Sequence, residues 1–386
     1  MSELTGNSQT TLNVMSPSSP ELANPQSYRA QFVGSGSEYF RISAVNLFLV
    51  MVTFSLYRPW AKVRKLKFFA RNMRIADASF DYHASPWSIF KGQMVVLVLF
   101  AVAQVNPWLA GVATLIGLAL LPWVLQRSIG FKLRNTSYRN LRFGFDAPLK
   151  IFYGVTGVII LILITVGALI QFLPQSPKAN IGPGVVAALF FFFALTPLFI
   201  LIVVAAIRFE SIPYSLWGNK RFSSSLGRKA IVKLLIFIGY LILVFVAGAI
   251  VVIALFQSGI APSIVKSFAV LFVFVLLGLL TSFKALVSAK LHNLAWNDTR
   301  LGNDYFRSDL SEVKFAATSL YVFLLTILTL GLYRAWGAVR LAKMQTESIV
   351  VYAHKALEDV EADATPPDNA ALGQEAADWF DIDISF

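Results

Sequence analysis

The sequence predicts an all-α polytopic membrane protein. Three transmembrane helical hairpins are joined by short strand-like cytoplasmic loops and flanked by two terminal membrane-inserted segments. Three observations carry this. Of 386 residues, 56% are hydrophobic and only 14% charged, and the mean hydropathy is +0.66; an average soluble domain is about a quarter charged. No Asp, Glu, Lys, Arg or His occurs in the 27 positions between Lys150 and Lys178 or the 32 between Lys233 and Lys266. Finally, Lys and Arg concentrate in alternate connections.

Taken in order, residues 1–27 are rich in Ser, Thr, Asn and Pro, have no basic start and no apolar run, and read as a disordered tail without a signal peptide. The integral domain, 28–346, contains apolar spans at 86–105, 108–125, 151–173, 185–207, 234–256 and 264–283. Each is close to the ~20 residues that cross a ~30 Å hydrocarbon core as a helix. The spans pair into hairpins turning at Asn106-Pro107, through 174–184 and through 257–263, where Pro, Gly, Asn and Ser punctuate the chain. The three turns together hold one cation, Lys178. By contrast, 57–85 holds seven, 126–150 six, 208–233 six and 284–314 five. The positive-inside rule places those four connections in the cytoplasm. Seven of the eight Trp fall near span ends, as an aromatic belt requires.

Two further apolar runs, 42–57 and 315–333, each lead into a basic aromatic nine-mer. The first is LYRPWAKVR (56–64) and the second LYRAWGAVR (332–340), identical at six of nine positions. Full crossing by both runs would put the two copies on opposite faces. Incomplete crossing, as segments that dip in or re-entrant hairpins, keeps both inside. The first run has 16 residues between Arg41 and Arg58, ~24 Å as a helix, which favours the second arrangement and leaves eight crossings as the rival.

The basic loops resemble one another. An Asn precedes an aromatic by eight residues in Asn72 to Phe80, Asn135 to Phe143 and Asn297 to Tyr305, with a compressed fourth copy at Asn219 and Phe222. SFDYH and RFGFD alternate at period two and read as small strands at the membrane surface. Glu38-Tyr39-Phe40-Arg41 matches Asp304-Tyr305-Phe306-Arg307. Interleaved cations and rings suit the headgroup layer. The candidate sites for anionic lipid or another anionic ligand are therefore Arg58, Trp60, Arg64, Arg74, Asn135, Arg142, Arg300, Arg334, Trp336 and Arg340. Their alternative role is to anchor and orient the segments.

The segment 347–386 holds ten acids and one Lys, starts as a short helix and reads as a partly disordered acidic cytoplasmic tail. Its end, DWFDIDISF, has the composition of a docking peptide for a protein partner. Cysteine is absent, and neither a metalloprotease, serine-hydrolase nor Walker motif is present. Asp77, Asp81 and His83 are spaced densely enough for a metal but sit among Arg71 and Arg74, which they neutralise. The six spans contain no Asp or Glu, against carboxylate-coupled transport. The cations are dispersed over membrane-flanking loops, so no nucleic acid partner is expected, and no cofactor or enzymatic activity.

Three separated motifs occur in order: GSGSEYFRI with YRPWAKVRKLKFF and FDYH between 34 and 92, RNTSYRNLRFGFD at 134–146, and NDTRLGNDYFRS followed by LTLGLYRAWGAVRLAKM at 297–344. Over residues 28–346 the chain thereby resembles the YjgN-like family of bacterial multi-pass inner-membrane proteins. The resemblance implies the bacterial inner membrane and brings no activity. The expected function is non-enzymatic transport or organisation of a lipid or small amphipathic solute, with a structural or regulatory membrane partner as the alternative.

Overall fold

A computed structural model describes residues 25–154, 156–157, 207, 209–224 and 262–354, with side chains from 277 onward in the last stretch. The predicted spans 185–207, apart from its last residue, and 234–256, most of 151–173, the turns at 174–184 and 257–261, residues 1–24 and the tail beyond 354 lie outside the described residues.

The all-α expectation is overturned by an eleven-stranded antiparallel sheet. The strands are β1 (Gln26–Arg29), β2 (Gln31–Phe32), β3 (Met73–Ile75), β4 (Ala78–Tyr82), β5 (Thr136–Tyr138), β6 (Leu141–Phe145), β7 (Ser215–Trp217), β8 (Lys220–Ser224), β9 (Thr299–Leu301), β10 (Asp304–Ser308) and β11 (Ile349–Ala353). Each is too short to signal a sheet alone; pooled around a ring, they become one. The short helix expected after residue 347 is instead β11, whose Ile349, Val351 and Ala353 alternate inward.

Four hairpins follow one plan: three residues in, a two-residue turn, five residues out. The turns Ala76-Asp77 and Arg139-Asn140 have positive φ at both residues (46° and 60°, 49° and 65°), the twist that suits a two-residue hairpin. In the other two, Gly218 (57°) and Gly302 (63°) take the left-handed position. The fifth hairpin is assembled from the two ends of the chain. β11 pairs with β1 on one side, and β2 pairs with β3 on the other. Ala30 is the residue at which partners switch, its amide donating to Ile349 O at 2.9 Å. The two edges of the sheet are thus consecutive residues of one strand, and the sheet is a nearly closed barrel.

The same backbone bond recurs at four junctions between units: Val33 N to Asn72 O (3.0 Å), His83 N to Asn135 O (2.8 Å), Asp146 N to Tyr214 O (3.1 Å) and Asp309 N to Ser348 O (3.1 Å). This register corrects the sequence alignment of the loops. The equivalent pairs are Asn72 and Phe80, Asn135 and Phe143, Tyr214 and Phe222, and residue 298 and Phe306, so the copy at 214–222 is not compressed. It also dissolves the match of 38–41 with 304–307, since the former lie in a helix and the latter in β10.

Ile75, Tyr138, Trp217, Leu301 and Val351 hold equivalent inward positions and are all buried. Phe80, Phe143, Phe222 and Phe306 hold a second set, with centroids 6.3 Å apart at each of the three steps. These side chains form one apolar cluster that fills the ring.

From this ring leave α1 (Gly36–Val52), α2 (Arg58–Asn72), α3 (Pro86–Ala103), α4 (Pro107–Arg134), α5 (Pro262–Asp298), α6 (Glu312–Leu328) and α7 (Arg334–Glu347). Among the described residues, α3 and α4 are long and apolar enough to cross a membrane. They turn where expected, and Asn106 caps α4 by accepting from Leu109 N at 2.8 Å.

Candidate functional site: twin hairpins and an arginine crown

Each apolar terminal run proves to be the outgoing arm of a helical hairpin, and each nine-mer its turn and returning arm. The two are built alike. Ser35 caps α1 and Ser311 caps α6. Both helices end after 17 residues at a Thr with φ −95° and ψ 15°. Thr53 Oγ1 donates to Leu49 O at 2.7 Å and accepts from Tyr57 N at 3.0 Å; Thr329 does the same with Leu325 O and Tyr333 N at 2.7 and 3.0 Å. The chain then turns through positive φ at Phe54 and Ser55, or at Leu330 and Gly331. The duplicated nine-mer is therefore the end of a tight helical turn and the start of the returning helix. Its apolar tips are almost bare, Phe54 at 92% and Leu330 at 95% exposure.

The two returning helices flank α1. Tyr39 stacks on Phe68 of α2 (5.1 Å), and Phe40 stacks on Trp336 of α7 (4.3 Å). A Cβ on Gly36 would stand 2.4 Å from Trp336 Cδ1, so that stack requires glycine. Trp60 lies parallel to Tyr57 at 5.8 Å and edge-on to Trp87 at 5.3 Å. Arg58 and Arg334 open their helices, exposed. Arg64 lies 5.6 Å over the Tyr57 ring and Arg340 5.3 Å over the Tyr321 ring, cation–π contacts that hold a charge beside an apolar surface. Depth follows from one contact: Gln93 Nε2 donates to Ser55 O at 3.4 Å. The first tip is level with Gln93, and α3 continues ten residues beyond to Ala103, ~15 Å further. This hairpin is shorter than the neighbouring α3–α4 hairpin.

Arg74, Arg142 and Arg300 lie elsewhere, on the outer face of the sheet. They belong to a set that sequence reasoning missed. The same cross-strand pair in every hairpin contains one arginine: Arg74 opposite Ser79, Arg142 opposite Ser137, Arg221 opposite Leu216, Arg300 opposite Tyr305, and Arg29 opposite Val350. The arginine changes strand between units, which hid it from a linear alignment. All five are exposed. Arg29 pairs with Asp309 at 2.9 Å and Arg221 with Asp146 at 2.7 Å. Those two aspartates are themselves equivalent, each following the outgoing strand of the preceding unit. Among the described residues Arg74, Arg142 and Arg300 form no ion pair. Asn135 serves the framework: its amide donates to Phe131 O at 2.8 Å, as Asn72 does to Phe68 O.

Sequence reasoning also missed Lys220 and Asp304, which share one inward repeat position in neighbouring units. Their charges meet at 3.4 Å, the Asp304 side chain only 5% exposed. Asp304 also accepts from His354 N at 2.9 Å. Asp81 pairs with Arg71 at 3.0 Å and His83 bonds Ser137 at 2.8 Å; among the described residues no cluster of His, Asp and Glu could hold a metal. Burial pushes the Asp81 carboxyl up, but the Arg71 hydrogen bonds, the Tyr82 amide and the neighbouring positive charge outweigh it and hold the group below its usual value. Burial raises the Tyr138 hydroxyl, which donates to Ile75 O at 2.8 Å.

A ring of β-hairpins carrying apolar helical hairpins with basic, aromatic turns defines a membrane-associated protein. The chain belongs to the family described as bacterial protein of unknown function (DUF898), whose model matches residues 27–379. It is 23% identical over 376 residues to inner membrane protein YjgN of Salmonella typhimurium, covering 88% of this chain and 92% of that one. It is 27% identical over 164 residues to inner membrane protein YjgN of Escherichia coli strain K12, 41% of each chain. No solved structure matches. The chain is thus a YjgN-like inner-membrane protein.

Proposed function

We propose that the protein crosses the inner membrane several times and, without catalysing a reaction, gathers anionic phospholipid by its headgroups at the cytoplasmic leaflet. The observation that carries this reading is the twin hairpin turn. An apolar tip exposed at 92% or 95% stands beside arginines laid over tyrosine rings. Such a tip suits the acyl boundary, and each nearby cation adds ~1 kcal/mol toward an anionic surface. The shallow first tip favours entry into one leaflet only. The bias of Lys and Arg toward the sheet-forming connections favours a cytoplasmic sheet.

The test is mass spectrometry of lipids that co-purify with the parent and with a variant carrying Arg58→Ala, Arg64→Ala, Arg334→Ala and Arg340→Ala. Phosphatidylglycerol and cardiolipin are expected to be enriched with the parent and several-fold depleted from the variant. An identical lipid complement from both proteins ends the proposal.

A further inference from the structure

The arginine crown and the acidic end of the chain call for each other. β11 ends at Ala353, at the rim of the ring where the hairpin turns lie. The 32 residues that follow, 355–386, hold nine acids and one lysine. They follow Ala353, which pairs with Gln26, three residues along β1 from Arg29, one member of the crown. An open groove of about 350 Å³ lies on the outer wall a few residues back along the strands, with Arg29, Arg307, Val350, Tyr352 and the Asp309 that already pairs with Arg29 among its walls. Arg307 is exposed and forms no ion pair among the described residues. We infer that the acidic segment 355–386 docks on the crown of its own chain, beginning in this groove and running round the outer wall past Arg300 and Arg221 to Arg142 and Arg74.

Reach permits it. With β1 and β2 sharing one place at the seam, ten strand positions at ~4.8 Å give a girth of about 48 Å, whereas 32 extended residues span up to about 105 Å. Charge favours it, because the two crown arginines that already have an aspartate leave three without one, and the segment brings a surplus of acids. The crown's regularity argues for a ligand extended along the ring. One arginine is kept at the same cross-strand pair in all five units while its strand changes, which spaces positive charge around the outer wall. A carboxylate-rich chain meets such a row through successive guanidinium–carboxylate contacts. Exposed contacts of this kind weaken as salt rises. The inference rests on the crown and is independent of the lipid reading of the hairpin tips.

The chain has no cysteine, so nitroxide labels can be placed at will. In the full-length protein, Ser79→Cys beside Arg74 and Ala371→Cys in the acidic segment would be labelled and their separation read by double electron–electron resonance. Nanodiscs of phosphatidylcholine alone would be compared with nanodiscs of phosphatidylcholine and phosphatidylglycerol in equal parts. A narrow distance distribution in both is expected, its width at least doubling when Arg74, Arg142 and Arg300 are changed to Gln and when salt is raised. A second pair, Ser79→Cys with Ser223→Cys, both on the sheet, should keep its distribution in the arginine variant and so exclude unfolding. A broad distribution in both nanodiscs, or one the three substitutions leave unchanged, overturns the inference. Narrowing only where phosphatidylglycerol is absent assigns the crown to lipid headgroups and overturns it equally.

Discussion

Four of the five β-hairpins are continuous stretches of chain; the fifth joins the first described strands to the last. The backbone geometry is the same. Val351 faces Tyr28 as Ile75 faces Ala78. The difference lies in how the pairing is reached. Ile75 and Ala78 are held together by a two-residue turn, whereas Tyr28 and Val351 are separated by almost the whole protein, and the entropy of closing a loop grows with the logarithm of its length. A ring built of local units therefore has one non-local seam, and the strongest test of the architecture is to lock it. Ser27 and Tyr352 are directly paired across the seam on its outer side. Changed together to Cys, they should form a disulfide on mild oxidation, seen as faster migration on a non-reducing gel. Closing a loop of this length adds up to ~5 kcal/mol in the chain-entropy limit, so the melting temperature in detergent should rise and return on reduction. Failure to cross-link in folded protein would mean that the ring is open there.

The seam differs in filling as well. Four units place a Phe at the second inward position; the fifth places Ala30, which is completely buried. Phe143→Ala is expected to lower stability by ~2–3 kcal/mol, as other large-to-small core changes do. Ala30→Phe restores the repeat in sequence yet should also destabilise, by ~1–3 kcal/mol, because the space is already taken. Thermal unfolding of both variants decides it. A gain in stability from Ala30→Phe would show a vacancy at the seam.

This explains how much could be read in advance. The apolar α3–α4 hairpin, its Asn-Pro turn and the duplicated nine-mer each depend on residues close in sequence, and each left a local signature. So did the period-two alternation of SFDYH and RFGFD. The closure of the sheet did not. It depends on pairing 26–32 with both 349–353 and 73–75, and segments of two to five residues carry too little pattern to announce their partners. The arginine crown was half visible. Arg74, Arg142 and Arg300 stood out as basic loop residues, while Arg29 and Arg221 became equivalent to them only once strand register was known.

The two helical hairpins offer a finer comparison. Their turns share backbone and threonine, but their surroundings differ, with Trp60 against Trp87 of α3 and Trp336 against Phe40 of α1. If the threonine is a purely local brace, Thr53→Val and Thr329→Val should cost the same, ~1 kcal/mol each for the lost bond to the tyrosine amide. The double variant should cost their sum. Unequal values in paired unfolding measurements would locate coupling between turn and neighbour in one hairpin only.

The smallest expected effect concerns a position where the five units do not agree. Asp81 corresponds to Gly144, Ser223, Arg307 and Gln31 in the other hairpins, so its ion pair with Arg71 is an addition to the shared framework. Its folded-state pKa lies below the ordinary 3.8, so its ionised form favours folding. That contribution is present above the ordinary carboxylate range and is lost as pH falls through the folded-state value. The pair is surface-placed, with Arg71 56% exposed, and such pairs are worth at most ~1 kcal/mol. Asp81→Asn should therefore melt slightly below the parent at pH 7, and the gap should close on acidification to below the ordinary carboxylate value. A gap that widens toward acid would reverse the sign of the shift and detach Asp81 from Arg71.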